Sequence, residues 1–121
     1  MPDSKTLLLV EDDEVTREAL ASILVGHGHS VQGVADGQEA LDRLREGCLP
    51  DCVLLDLVMP RMDGRQFRAR QRLHRKWASI PVVVISGDAR VAEEAVFLGA
   101  ADYLRKPVEP EALLVAIRNI C

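Results

Sequence analysis

Acidic residues that follow two apolar runs of the sequence are candidates for binding a divalent metal ion. Residues 11–14 are four consecutive acids directly after the apolar run Thr6–Val10, and Asp56 directly follows the apolar run 53–55. Carboxylates held close together repel one another, so a cation between them is favourable. Mg²⁺ prefers oxygen ligands, takes one or two carboxylates and keeps several waters. These residues predict a magnesium site, where Asp56 is a metal ligand, a nucleophile or the cap of the next helix.

A hydroxyl group and an ammonium group follow two later apolar runs. Ser86 directly follows the β-branched run 82–85, and Lys106 comes shortly after the run 101–104. The hydroxyl can donate a hydrogen bond to a phosphoryl oxygen, and the ammonium supplies a compact positive charge. Together with an aspartate nucleophile, these groups favour phosphoryl transfer to a carboxylate.

The apolar runs predict strands that alternate with helical segments five times. The predicted strands are Thr6–Val10, Ser30–Val34, 53–55, 82–85 and 101–104. Such alternation predicts an α/β fold of right-handed βαβ units, with a parallel sheet and helices on both faces. For five strands we expect the flavodoxin-like, doubly wound order 2-1-3-4-5 and five helices. The carboxyl ends of all strands then meet at one edge of the sheet, where ligands bind.

The helices are predicted from apolar faces and capping residues. The expected inward residues are Val15, Ala19, Ile23 and Leu24 in the first helix, Ala40, Leu41 and Leu44 in the second, Phe67 and Leu73 in the third, Val91, Ala92, Ala95 and Leu98 in the fourth, and Leu113, Leu114, Ile117 and Ile120 in the fifth. Asp36 with Glu39 resembles a capping box, Asp88 is expected to cap the fourth helix, and Trp77 the end of the third. Pro110 suits the first turn of the fifth helix.

Length and composition predict one compact domain over residues 1–121, since 48% of the residues are hydrophobic. The three cysteines contain no CxxC pair, which favours reduced thiols over a disulfide or a zinc site. We find no signal peptide pattern and no apolar run that could span a membrane, so we expect a soluble, cytoplasmic protein. Aromatic residues, only 3% of the chain, offer no stacking platform for single strands or flavin.

Charge is unevenly distributed along the chain. The net charge is −4, but the segment 61–76 contains seven basic residues and one acid, a net charge of about +6. Such a segment could bind nucleic acid or a phosphorylated partner. We favour a solvated helix face for it.

Four motifs make the chain resemble the receiver domain of two-component response regulators over nearly its full length. They are LVEDD (9–13), LDLVMPRMDG (55–64), IPVVVISG (80–87) and GAADYLRKP (99–107). Ser86 lies thirty residues and Lys106 fifty residues after Asp56, which agrees with the order of the family motifs.

The resemblance implies a role for each residue of the acidic site. Asp56 would accept a phosphoryl group from the phosphohistidine of a sensor histidine kinase or a histidine phosphotransfer protein. Asp12, Asp56 and the backbone carbonyl of Val58 would ligate Mg²⁺, and Glu11 would act through metal-bound water. A second register stays open, in which Asp12 and Asp13 form the acid pair. Gly64 would belong to the rigid turn that keeps this loop open.

The resemblance also implies how phosphorylation is read out. Ser86 would bond one phosphoryl oxygen and Lys106 another, the Lys106–Pro107 peptide bond would be cis, and Tyr103 would swing inward as Ser86 moves. The fourth helix, fifth strand and fifth helix would then contact an output domain or a second copy, with no membrane and no direct nucleic acid binding. The domain would assist its own phosphorylation and dephosphorylation without being an enzyme that turns over a substrate pool.

Two other classes of function are disfavoured, each by the residues found at one place in the sequence. A phosphatase with an aspartyl-phosphate intermediate needs a second carboxylate two residues after the nucleophile, where this chain has Val58. A flavin or nucleotide binder needs a glycine-rich or hydroxyl-rich loop after the first strand, where this chain has the acids 11–14. A degenerate receiver, acting as an interaction module without phosphorylation, remains an open alternative.

Overall fold

Strands and helices alternate along the part of the chain that the computed structural model describes, residues 4–59 and 62–121. The strands are β1 (Thr6–Val10), β2 (Ser30–Val34), β3 (Cys52–Asp56), β4 (Val82–Ser86) and β5 (Asp102–Arg105), and the helices are α1 (Glu14–Gly26), α2 (Gly37–Arg45), α3 (Gly64–Arg72), α4 (Val91–Leu98) and α5 (Pro110–Ile120). Neighbouring strands are parallel in the order β2-β1-β3-β4-β5. The predicted fold class and strand order are confirmed.

The central strands are buried on both faces because helices cover both sides of the sheet. Every residue of β3 and β4 is buried, which explains their continuous apolar sequence. One apolar layer lies under α2, α3 and α4, and the other under α1 and α5. The edge strands β2 and β5 keep exposed positions. None of the described helices is long and apolar enough to span a membrane.

The predicted inward face of α1 is partly wrong. Val15 is 75% exposed and Ala19 is also exposed, whereas Leu20 and Leu24 are buried. Leu20 and Leu24 lie four residues apart and form a stripe with more apolar surface than Val15 and Ala19 offer. The smaller stripe is therefore left outside the core, next to the loop that follows β5.

The predicted packing of α3 is also only half right. Phe67 is fully buried, as expected, but Leu73 is 85% exposed. Leu73 is the residue that follows the last turn of α3, so it has left the helix face that packs on the sheet. The polar residues Arg68 and Gln71 are buried in its place.

Two predicted helix caps are wrong. Trp77 does not cap α3, because the cap is Leu73; the Trp77 ring is in the core and stacks on His74. Asp88 does not cap α4, because its carboxylate accepts a hydrogen bond from the Arg90 backbone N–H (2.8 Å), and Arg90 itself precedes the helix. The Asp88 carboxylate is therefore engaged in a local turn and does not accept from the first N–H groups of α4.

Other predicted boundaries are confirmed. At the start of α2, Asp36 accepts a hydrogen bond from the Glu39 N–H (2.9 Å), and Glu39 accepts one from the Ala35 N–H (2.7 Å). Pro110 is the first residue of α5. Gly99 ends α4 in the left-handed region, with φ 66°, which glycine adopts without strain.

Arg68 departs from the solvated helix face that we predicted for segment 61–76, since it is only 7% exposed. Its Nε donates to the carbonyl of Leu98 and its Nη2 to the carbonyl of Gly99, each at 2.9 Å. Its Nη1 donates to Oε1 of Gln71, also at 2.9 Å. These bonds join α3 to the carboxyl end of α4, where the helix dipole favours a positive charge.

We expect Arg68→Met to lower the free energy of unfolding by about 2 kcal/mol. Methionine fills a similar volume but removes the donor to the Gly99 carbonyl and to the Gln71 oxygen, and leaves the Leu98 carbonyl only the longer contact with Arg72 Nη1 (3.5 Å). Relief of a buried charge offsets part of this loss. Chemical denaturation measures the effect. Arg70→Met, exposed on the same helix, is the control and should change the stability by less than about 0.5 kcal/mol. Equal stability of the two variants would contradict this role of Arg68.

Candidate functional site

Side chains from four neighbouring strands meet at the carboxyl edge of the sheet. Asp56 ends β3 and is 2% exposed, and Glu11 directly follows β1 and is 1% exposed. Ser86 ends β4 and is buried, and Lys106 follows the edge strand β5. Because β3 lies between β1 and β4, Asp56 has acids on one side and a hydroxyl on the other. The sequence predicted this grouping.

The Lys106 ammonium group bridges the two buried carboxylates. Its Nζ lies 2.9 Å from Glu11 Oε1 and 3.3 Å from Asp56 Oδ2. The Lys106 backbone N–H donates to the carbonyl of Ser86 (2.9 Å), which fixes the lysine beside the end of β4. About a third of the Lys106 side chain is exposed, 32%, so a ligand that arrives from solvent can reach Nζ.

Burial controls the protonation of Glu11. Burial, and then the neighbouring Asp56 carboxylate, raise the pKa of Glu11, while Lys106 acts in the opposite direction. Burial lowers the pKa of Lys106, but its contacts with Glu11 and Asp56 outweigh burial, and the net effect is a raised pKa. Lys106 therefore stays charged near neutral pH, and ionised Glu11 costs the folded state free energy.

We expect Glu11→Gln to raise the free energy of unfolding of the metal-free protein by about 1 kcal/mol near neutral pH. Since the folded-state pKa of Glu11 is raised, its contribution to stability is complete below the unfolded-state pKa and is lost as the pH rises through the folded-state value. Glutamine does not ionise, so the difference between the two proteins should shrink below a pH of about 4.

Thermal unfolding in chelator between acid and neutral pH measures this difference. Glu18→Gln, on the exposed side of α1, is the matched control and should follow the wild type at every pH. A wild type as stable as Glu11→Gln near neutral pH would show that ionised Glu11 carries no cost.

Glu11, Asp12 and Asp56 form an acidic cluster that suits a hard divalent cation. One carboxylate oxygen of each lies within 4.8 Å of the others. Glu11 Oε1 is buried and has no aligned hydrogen-bond donor among the described residues, its contact with Lys106 being that of an ion pair. Asp12 is exposed, so the cluster opens to solvent. Oxygen ligands, an incompletely compensated buried charge and access for water all fit Mg²⁺.

Asp13 stands apart from this cluster. Its side chain accepts hydrogen bonds from the backbone N–H (2.9 Å) and the hydroxyl of Thr16, which lower the pKa of Asp13. Asp13 is the N-cap of α1. Of the two registers left open by the sequence, the geometry therefore supports the one in which Glu11 and Asp12 face Asp56.

The loop that follows β3 contacts the Asp56 carboxylate. The Val58 backbone N–H donates to Asp56 Oδ1 (3.2 Å), and the Val58 side chain is 68% exposed. Gly64 is buried, and its N–H donates to the carbonyl of Leu57 (3.2 Å). Residues 60–61 of the predicted turn lie outside the described residues. The Val58 carbonyl as a metal ligand stays a prediction.

Three further residues named from the resemblance are Ser86, Tyr103 and Pro107. Ser86 Oγ accepts a hydrogen bond from the Asp88 backbone N–H (3.0 Å). The Tyr103 side chain, on the edge strand β5, is 42% exposed and so lies at the surface. The Lys106–Pro107 peptide bond is cis, as predicted. The switch roles of Ser86 and Tyr103 stay predictions.

Two features beside the site were not predicted. Arg17 of α1 donates from Nη1 to the carbonyl of Glu11 (2.8 Å) and so holds the acidic loop in place. An apolar groove of about 550 Å³ lies beside Lys106, with Val15, Ala19, Ile23, Pro107 and Val108 in its lining. A lone arginine on a helix carries no distinctive sequence pattern. The groove could have been found from apolar residues of α1 that the core does not use.

Comparisons with known proteins agree with this fold and site. Residues 7–118 match the family model of the response regulator receiver domain. Response regulator MprA from Mycolicibacterium vanbaalenii is 39% identical over 116 residues, 94% of this chain and 49% of that protein. MprA from Mycobacterium bovis (strain BCG) is 38% identical over 119 residues, 97% of this chain and 50% of that protein. The chain spans about half the length of these relatives.

Solved structures show the same architecture. A candidate response regulator from Chloroflexus aurantiacus superposes with a TM-score of 0.90 at 35% identity, covering 97% of both chains. Chemotaxis response regulator CheY4 of Vibrio cholerae superposes with a TM-score of 0.87 at 27% identity, covering 96% of this chain and 98% of that one. This chain belongs to the response regulator receiver domain family. It is a signalling domain of two-component systems.

Proposed function

We propose that Asp56 accepts a phosphoryl group from the phosphohistidine of a sensor histidine kinase or a histidine phosphotransfer protein, in a reaction that requires Mg²⁺. The observation that carries the proposal is the contact of buried Asp56 with Lys106 Nζ (3.3 Å) beside the acidic cluster. An aspartate that only capped the next helix would bind the first N–H groups of α3. Asp63 does so instead, accepting from the Gln66 N–H (2.9 Å).

Three side chains of the site, Asp56, Lys106 and Ser86, have different roles in the phosphoryl transfer. One carboxylate oxygen of Asp56 forms a bond to phosphorus as the bond between phosphorus and the donor imidazole nitrogen breaks. The Lys106 ammonium group offsets negative charge on the phosphoryl oxygens, and the Ser86 hydroxyl donates a hydrogen bond to another of them. All three are held at strand ends, so little rearrangement is needed before reaction.

The acidic cluster completes the charge balance of the site. Asp12, Asp56 and the Val58 carbonyl would hold Mg²⁺, with Glu11 acting through water, and the ion would supply further positive charge to the phosphoryl oxygens. Val58 puts no carboxylate two residues after the nucleophile, where a phosphatase of the aspartyl-phosphate type needs its proton-transfer group. The domain therefore promotes its own phosphorylation and dephosphorylation rather than turnover of a substrate pool.

The apolar groove beside Lys106 supports a protein as the phosphodonor. Val15 on its α1 wall is 75% exposed, and Lys106 contributes to the lining. A donor that buried this stripe would carry its phosphohistidine to the edge of the acidic site. Apolar area removed from water at such a contact contributes roughly 25 cal/mol per Å² to the free energy of binding, and the loss of translational and rotational freedom opposes this gain.

The readout is proposed to lie on the α4–β5–α5 face. Val96 of α4 is 82% and Tyr103 of β5 is 42% exposed, and exposed apolar surface of this kind suits a contact with another protein. Phosphorylation would draw the Ser86 hydroxyl to the phosphoryl group and away from the Asp88 N–H. The loop before α4 then moves, Tyr103 turns inward, and the face binds an output domain or a second copy.

The test is incubation of the protein with acetyl phosphate and Mg²⁺, followed by intact mass measurement. The wild type should gain the mass of one phosphoryl group, and Asp56→Asn, which keeps the shape of the side chain, should gain none. Asp42→Asn, on the surface of α2, is the matched control and should gain the same mass as the wild type. Chelation of Mg²⁺ should abolish the gain in the wild type and in Asp42→Asn.

Two results would change the assignment. A mass gain in Asp56→Asn would place the phosphoacceptor elsewhere. A folded wild type that takes up no phosphoryl group and shows no spectral change with beryllofluoride and Mg²⁺ would identify the chain as a receiver that works without phosphorylation.

A further inference from the structure

A second groove lies at the end of the sheet opposite to Asp56. Its volume is about 370 Å³, and one wall is the end of α2 with the following loop, while the other is the turn after α3. The lining residues of the two walls are Leu44, Arg45 and Leu49 on one side and His74, Lys76 and Trp77 on the other. These segments lead into the amino ends of β3 and β4. A ligand in this groove therefore leaves the phosphorylation site accessible.

Exposed apolar side chains accompany this groove. Leu49 in one wall is 57% exposed, and Leu73, directly before His74 in the other wall, is 85% exposed. Neither leucine contributes to the core of the domain. Leu49 in the lining therefore provides apolar surface within a concave site for an aliphatic side chain of a partner.

The charge around this groove is positive. Lys76 in the lining is exposed, as is the adjacent Arg75, and among the described residues neither has an ion-pair partner. Arg45, also in the lining, is paired with Asp42 (3.2 Å). The lining contains no acidic residue. The groove thus combines unneutralised cations with apolar surface, in a chain whose net charge is −4.

We propose that this groove binds an acidic peptide segment of a partner protein. An aliphatic side chain of the segment packs against Leu49 and the edge of Trp77, and its carboxylates pair with Lys76 and Arg75. A single-stranded nucleic acid fits less well, because its bases stack on open aromatic faces. The Trp77 ring is 7% exposed and is covered by His74, at a centroid distance of 3.7 Å.

The α3 wall of this groove is held in place by internal hydrogen bonds. The Gln71 amide donates to the carbonyls of Trp77 (2.8 Å) and Ile80 (3.0 Å). The Lys76 backbone N–H donates to Nδ1 of His74 (3.2 Å). A wall that is fixed before binding loses little conformational entropy when a ligand arrives, which favours recognition of a short segment.

Trp77 is the only tryptophan of the chain and contributes to the lining of this groove, so a ligand that binds there alters the surroundings of the one indole. The probe is an amphipathic peptide of about 15 residues built from Glu and Leu, long enough to form a helix on binding. We expect a saturable change in Trp77 emission that weakens with added salt. Arg75→Glu with Lys76→Glu should weaken binding by about tenfold. Arg118→Glu, an exposed site on α5, is the control and should bind like the wild type.

The same titration contains the outcomes that would overturn the proposal. Equal binding of a peptide with Lys in place of Glu would show that charge does not select the ligand. Tighter binding of a single-stranded oligonucleotide would make the groove a nucleic acid site, and an unchanged Trp77 emission with the acidic peptide would mean that the groove is not used. The titration needs no phosphodonor, so its result is independent of whether Asp56 is phosphorylated.

Discussion

Replacing Lys106 with alanine is expected to slow phosphoryl uptake from acetyl phosphate by about 10²- to 10³-fold, the usual cost of losing one placed group that stabilises a developing anion. Its Nζ lies 3.3 Å from Asp56 Oδ2 and 2.9 Å from Glu11 Oε1. No other described basic residue has an ion pair with Asp56. Without Lys106, the two buried carboxylates face an incoming anion without an ion pair to any other described residue.

The measurement is the rate of mass gain at saturating Mg²⁺. Lys5→Ala removes the same charge just before β1, at the far end of that strand from the acidic site, and should keep the wild-type rate. Lys106→Ala should also raise the pKa of Glu11 further, since Lys106 opposes the shift more than the other lowering contact, the Asp13 backbone N–H. Circular dichroism shows whether the variant folds. A folded Lys106→Ala protein that reacts at the wild-type rate would remove Lys106 from the transfer.

The sheet and the candidate site could be predicted because few alternatives fit their sequences. A short continuous run of Leu and Val, as in β3, is buried on both faces in a domain of this size. Once the strands are parallel, their carboxyl ends share one edge of the sheet. The positions of Asp56, Ser86 and Lys106 then follow from the strand ends alone, without knowledge of any side-chain contact.

The helix faces were harder to predict because periodicity gives a spacing but not a direction. Helix α1 has two apolar stripes with residues four apart, one with Val15 and Ala19 and one with Leu20 and Leu24. The structure buries the second stripe. The buried contacts of Arg68 reach carbonyls thirty and thirty-one residues away. No local pattern encodes such partners, so a segment rich in arginine was assigned to solvent. Long-range polar contacts decide these positions.

Gly64→Ala is expected to destabilise the domain by about 3 kcal/mol or more, because overpacking against fixed atoms forces the backbone to move. A Cβ at Gly64 would lie 2.6 Å from the carbonyl oxygen of Asp56 and 2.8 Å from the Cα of Leu57. Both are backbone atoms, which no rotamer change can move aside. They belong to the strand end that carries Asp56, the proposed phosphoacceptor, so we also expect phosphoryl uptake to fall in the fraction that stays folded.

Gly26→Ala is the control for Gly64→Ala, because it replaces a glycine with alanine at a position where a Cβ has room. Gly26 ends α1, a Cβ added there would meet no atom of another part of the chain within 4 Å, and neither glycine has a φ in the left-handed region. Alanine at Gly26 should therefore leave the stability unchanged or raise it by up to about 1 kcal/mol. Chemical denaturation compares the two variants. If both substitutions changed the free energy of unfolding equally, the close contacts with Asp56 and Leu57 would not explain why residue 64 is glycine. The loop would then accommodate a Cβ without displacing the end of β3.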